Sequence, residues 1–132
     1  MERSTEIEDA FKFFCTLRSR GDSSSFSDVY STQMKLLIGS RPDQWWEDLQ
    51  TIKNAFGGQG MVLSHTDPLG YVDGDLGWVV DRPRWTKADG STATTRMTVI
   101  MRREHKTWKI VHLHNSAGVS DETLFCSDAK AV

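Results

Sequence analysis

Two runs near the C-terminal end decide the fold: Thr94-Thr95-Arg96-Met97-Thr98-Val99-Ile100-Met101-Arg102-Arg103 and Trp108-Lys109-Ile110-Val111-His112-Leu113-His114-Asn115-Ser116. Both are rich in β-branched and aromatic residues and alternate with a period of two, as strands with one buried face do. Only Glu104 to Thr107 separates them, a length that suits a hairpin loop. Leu76-Gly77-Trp78-Val79-Val80-Asp81-Arg82 reads the same way. Three neighbouring strands carrying Trp, Arg, Asp and His make a wall able to line a pocket.

Upstream of this wall the pattern is helical. Thr5 to Arg20 predicts a helix: Thr5 and Glu8 fit a capping box, and Ile7, Ala10, Phe11, Phe14 and Leu17 form one apolar stripe. Acidic residues open it, Arg18 and Arg20 close it, and Gly21 stops it. Ser27 suits the cap of a brief helix through Asp28, Val29 and Tyr30. Met34 to Ile38 reads as extended. Pro42 suits the first turn of a second long helix, with Trp45, Leu49, Ile52 and Phe56 on one face and Gly57-Gly58 at its end. Trp46 falls beside that stripe, at a rim or a partner surface. From Met61 the pattern turns to strands: Met61 to Thr66, Gly70 to Asp73, then Leu76 to Arg82, with Gly74 and Gly77 at a bend and Pro83 at the end. Ala88-Asp89-Gly90 is a turn, and the polar segment after Ser116 is expected to fray. Helices first and antiparallel strands afterwards predict an α+β fold, with helices on one face of a curved sheet and an open mouth at one end.

At 132 residues the chain has the length of one domain, so residues 1–132 are read as a single unit. A net charge of −2 gives nothing to steer it towards nucleic acid or an anionic membrane. No apolar run approaches the roughly 20 residues of a membrane span. Met1 to Asp9 is too polar for a signal peptide, so the expected location is cytoplasmic. Cys15 reads as a small buried hydrophobe on the first helix, and no disulfide with Cys126 is expected. There is no Gly-rich phosphate loop, Ser-His-Asp motif or zinc spacing, so no cofactor is expected.

The segment Gly74-Asp75-Leu76-Gly77-Trp78-Val79-Val80-Asp81-Arg82-Pro83, then Asp89-Gly90, Arg96-Met97-Thr98 and the run from Trp108 to Ser116, resembles the SnoaL-like branch of the NTF2-like (ketosteroid-isomerase-like) superfamily. Ile38-Gly39-Ser40-Arg41-Pro42-Asp43-Gln44-Trp45-Trp46 looks like the IG-x-x-P-x-x-W run of that branch, and the H-x-H-x-S of the last strand is also similar to the association domain of calcium/calmodulin-dependent kinases. The likeness covers about residues 5 to 122. It implies a cone: a strongly curved, mainly antiparallel sheet wrapped around N-terminal helices, with an internal pocket. It also implies a homodimer through the outer sheet face. The superfamily hosts enzymes, transport factors and assembly hubs, so the function stays open between two classes. One is a binder of a small apolar or aromatic molecule, with a carboxylate or carbonyl, that can perform cofactor-free acid–base chemistry of the isomerase or cyclase kind. The other is a non-catalytic ligand-binding or hub-like module.

Alternation, read with the position of cavity arginines in the kinase hubs, assigns Trp78, Val80, Arg96, Thr98, Leu113 and Asn115 to the pocket and turns His112 and His114 outward, towards a partner subunit. Asn115 stands where those hubs often carry arginine. Arg96 can hold a carboxylate or an enolate oxygen, or form an ion pair with Asp81 or Asp73. Asp81 is a general-base candidate if it faces the cavity, although its alternation with Trp78 argues against that. His65 and Asp67 at a strand end are a second acid–base candidate. His112 and His114 share one face at a spacing that can chelate a metal with His65, or can serve an interface. Tyr30 and Trp46 are candidates to cap the opening.

Overall fold

The computed structural model describes residues 1–21, 24, 26–56, 61–118 and 122–123. Helix α1 spans Thr5–Arg20 and buries Ile7, Phe11, Phe14, Cys15 and Leu17. Its cap is Ser4, one residue earlier than the capping box predicts: Ser4 Oγ accepts from the Ile7 N–H at 3.3 Å. That shift frees Glu8 to turn into the sheet. Its carboxylate accepts from the Gly70 N–H at 2.9 Å and from Arg3 Nε at 2.9 Å, fastening the helix to two strands. Gly21 ends the helix at φ 65°, where a left-handed residue costs glycine least. Helix α2 is the short Phe26–Val29.

Among the described residues, seven strands form the main sheet. Their order is β1 (Glu2–Arg3), β5 (Leu69–Asp73), β6 (Leu76–Asp81), β9 (Arg96–Glu104), β10 (Thr107–Ser116), β2 (Leu36–Ile38) and β3 (Trp45–Trp46). Neighbours are antiparallel except β2, which runs parallel to β10. A smaller sheet holds β4 (Val62–His65), β7 (Arg84–Thr86) and β8 (Thr92–Thr94). The two sheets are one bent layer. Asp81 lies opposite Met97 in the first and Arg84 opposite Thr94 in the second, with the Thr95 N–H donating to the Pro83 carbonyl at 3.1 Å between them. Pro83, lacking an N–H, ends the β6 ladder at the bend. The layer thereby curves around α1. The β7–β8 hairpin was not legible as strands in the sequence, though its turn at Gly90 (φ 86°) was.

The second long helix is shorter than expected. Helix α3 spans only Leu49–Phe56, started by Asp48, whose Oδ1 accepts from the Thr51 N–H at 2.9 Å. Pro42 sits instead in a loop closed by Gln44, and Trp45–Trp46 pairs with Leu37 and Ile38 as an edge strand. Trp45 is 56 % exposed, so it takes no part in a buried helical stripe. Gly57-Gly58 lies outside the described residues, as does Cys126.

A bulge decides which face of β10 points inward. Its register against β9 shifts between Ile110 and His112. Trp108 and Ile110 before the shift therefore share the buried face with Leu113 after it. Val79, Met97, Val99 and Met101 complete that face against α1. Gly77 belongs to the same face for a steric reason: a Cβ there would lie 2.5 Å from Ile7 Cδ1 and 2.7 Å from the Tyr71 carbonyl oxygen. The bend that the sequence suggested for Gly77 belongs to Gly74 alone, at φ 63°.

Candidate functional site

Among the described residues, two of the concavities flank the curved layer. The first is the mouth of the cone, about 600 Å³. Its floor is Phe14, Tyr30, Trp85, Met97 and Leu113, each no more than 5 % exposed. Tyr30 is fixed by stacking on Phe26 at 4.5 Å and by an edge contact with Phe14 at 5.8 Å. Trp85 is fixed by its Nε1–H, which donates to Thr95 Oγ1 at 3.1 Å. Leu37, Trp46 and Met61 form the side walls. The rim is the 39–44 loop, where the Gly39 N–H meets the Gln44 carbonyl at 2.7 Å and the Arg41 N–H meets Gln44 Oε1 at 3.0 Å.

Among the described lining residues the charges of this pocket have one sign. Arg18, Arg41 and Lys87 line it, and among the described lining residues there is no carboxylate and no imidazole. Burial lowers the pKa of the Arg18 guanidinium from its ordinary value, and the charge of a guanidinium survives such a shift. Burial pushes the Tyr30 phenol up, with Arg18 pulling partly back, so Tyr30 keeps its proton and acts as a donor. Arg41 is exposed and lies 3.7 Å from Asp43. Asn115 contributes an amide whose buried Oδ1 has no hydrogen-bond partner among the described residues.

The second concavity, about 790 Å³, lies on the outer side of the layer, at the bend. Val80, Thr98 and His114 form a row across β6, β9 and β10, with Leu69 beside Val80. Arg82, Arg84, Arg96, His65 and Asp67 surround them. Asp81 reaches it from the buried face, where it is 9 % exposed. Its carboxylate is well occupied: it accepts from Thr66 Oγ1, from the Asp67 N–H at 3.2 Å and from the Arg82 N–H at 2.7 Å.

The structure thus splits the expected site residues into two groups. Tyr30, Trp46, Leu113 and Asn115 meet in the cone pocket. Val80, Arg96, Thr98, Asp81 and His65 meet at the outer concavity. Trp78 lines neither; it stacks on Tyr71 at 4.8 Å on the outer face. The inward orientation expected of Trp78, Val80, Arg96 and Thr98 is therefore corrected. The helix packs on the opposite set, because Gly77, Val79 and Val99 allow its close approach. Asp81 belongs to that inward set. The suggested ion pair of Arg96 with Asp81 or Asp73 is not formed. His112 Nδ1 lies 3.0 Å from the Leu36 carbonyl, tied to the neighbouring strand, whereas His114 is exposed. Among the described residues no group of three or more His, Cys, Asp or Glu is arranged to hold a metal. Burial, with Asp81 nearby, pushes the Cys15 thiol up, which disfavours a thiolate there. Arg18, Trp85 and Met97 were missed as pocket residues. Arg18 sits one turn beyond Phe14 on the helix, a signal that was available; Trp85 lies between Pro83 and the Ala88-Asp89-Gly90 turn, a stretch to which the sequence reading assigns no element.

A sequence model of the SnoaL-like domain matches residues 7–120. The chain belongs to the SnoaL-like domain family. Solved structures agree on the fold. An NTF2-like family protein from Streptomyces avermitilis, described as a candidate dehydratase, superposes with a TM-score of 0.76 at 15 % identity, covering 88 % of this chain and 96 % of that one. An NTF2-like protein of unknown function from Pseudomonas putida KT2440 gives 0.71 at 19 %, covering 92 % and 94 %. The association domain of C. elegans CaMKII gives 0.66 at 17 %, covering 85 % and 93 %. No curated protein matches the chain. No helix among the described residues is long and apolar enough to cross a membrane.

Proposed function

We propose that this SnoaL-like chain uses the cone pocket to bind a small, mainly apolar or aromatic molecule carrying one anionic group. The observation that carries the reading is the lining itself: Phe14, Trp46 and Trp85 around Arg18, Arg41 and Lys87, with no described carboxylate. Aromatic walls supply apolar burial, and a guanidinium held in a partly dry site favours a carboxylate. The same lining speaks for binding without turnover, since no described group in it is a general base at neutral pH. The test is calorimetric titration with 2-naphthoate and its neutral isostere 2-naphthylmethanol. The carboxylate should bind about tenfold tighter or better, Trp46→Ala should weaken both, and Arg18→Gln should erase the preference. Equal binding of the two probes to the wild type, or no binding, overturns the reading.

Two copies pair through the outer sheet face in this proposal. Support comes from the exposed Leu76 beside the Tyr71–Trp78 stack, at the end of β6 away from the bend, and from the likeness to an association domain. Sedimentation equilibrium should find a dimer that Trp78→Arg converts to monomer; a wild-type monomer at all concentrations sinks the idea. A catalytic reading is second, and rests on Asp81 and His65 lining the same concavity. It requires a reaction that Asp81→Asn abolishes without unfolding the protein.

A further inference from the structure

The outer concavity is a different site from the cone pocket, and its chemistry is legible in the register. Asp81 pairs with Met97 before the bend and Arg84 with Thr94 after it, so Arg82 stands opposite Arg96 across the same antiparallel pair. Alternation points both arginines outward, with Arg84 diagonal to Arg96. Like charges directly opposite on a sheet repel unless something stands between them. Among the described residues none of Arg82, Arg84 and Arg96 has an ion pair. The charged acids of the concavity do not answer them: Asp81 is occupied by Thr66 and two backbone amides, and Asp67 stands alone against three guanidinium groups. Hydroxyls of Thr98 and Ser116 and the ring of exposed His114 add further donors.

Arg96 also lies close to the backbone beyond β10. Its guanidinium lies against Gly118, at φ 75°, so closely that a Cβ there would sit 3.0 Å from Nη2 and 3.1 Å from Cζ.

We propose that Arg82, Arg84 and Arg96, with Thr98, Ser116 and His114, form a second binding site for an oxyanion group of a small soluble molecule, a phosphate or a carboxylate. The anion bridges the opposed pair Arg82–Arg96 on the outer face. The site is independent of the cone pocket and of whatever occupies it.

The experiment is an amide ¹H–¹⁵N titration of the full chain with inorganic phosphate, and separately with acetate, at constant ionic strength held by sodium chloride. Saturable shifts at Thr98, His114 and Ser116 are expected. Arg96→Gln and Arg82→Gln should each weaken binding about tenfold, while Arg41→Gln at the cone pocket leaves it unchanged. Gly118→Ala, which leaves all three arginines in place, should weaken it too by displacing the Arg96 guanidinium. Retained spectral dispersion establishes that each variant is folded. Tighter phosphate names a phosphorylated ligand and tighter acetate a carboxylate; either supports the site. Shifts that never saturate with either anion, or an Arg41→Gln loss as large as that of Arg96→Gln, overturn it.

Discussion

Replacing Glu8 by alanine should cost the fold about 1–3 kcal/mol at neutral pH, because it leaves the buried Gly70 N–H without an acceptor. The carboxylate that satisfies it is 8 % exposed and also holds Arg3 through Nη2 at 2.8 Å. Burial alone raises the Glu8 pKa, but the Gly70 amide and the Arg3 guanidinium outweigh it and hold the group below its ordinary 4.5. The folded value is thus lower than the unfolded one. Its contribution is present above the unfolded value and is lost as pH falls through the folded value. Urea denaturation of wild type and Glu8→Ala should therefore give a stability gap that is full at pH 7 and shrinks steadily below pH about 4. Glu8→Gln keeps an acceptor for Gly70 and should fall between the two. A gap that is absent at pH 7, or equally large in strong acid, refutes the view that this carboxylate fastens α1 to β5.

Gly77→Ala should destabilise the protein by about 1–3 kcal/mol, read as a lower urea midpoint, since its Cβ meets the Tyr71 carbonyl at 2.7 Å. Asp81→Ala strips the acceptor from Thr66 and from the amides of Asp67 and Arg82, and should lower stability by about 1–3 kcal/mol with no change in cone-pocket titrations. Lys106→Gly should raise the thermal midpoint, because Lys106 holds φ 69° in the β9–β10 turn, where a side chain costs about 1 kcal/mol.

The long strands and α1 were readable because their signals are local and strong. Sixteen residues of stripe with acidic and basic ends define α1, and the runs 94–103 and 108–116 alternate cleanly. Orientation was not local. Trp78, Val80 and Thr98 alternate perfectly with Val79 and Val99, and nothing within one strand says which set meets the helix. The deciding information is Gly77 against Ile7, a contact spanning the chain. The β10 bulge added a second inversion that periodicity cannot foresee. The Trp45–Trp46 strand was read as helix because Trp45, Leu49 and Ile52 fall at helical spacing; pairing with Leu37 and Ile38 decided it. The candidate site was therefore half legible. Tyr30, Trp46, Leu113 and Asn115 were identified; Arg18 was within reach from its helical spacing to Phe14, whereas Trp85 joins them only through tertiary packing.

The most direct test of the cone-pocket claim is to map 2-naphthoate binding by amide chemical shifts. The account predicts saturable shifts at Tyr30, Trp46, Leu113 and Asn115 that are larger than any in the outer row of Trp78, Val80 and Thr98. Shifts centred on that outer row instead, or none at any residue, would contradict it.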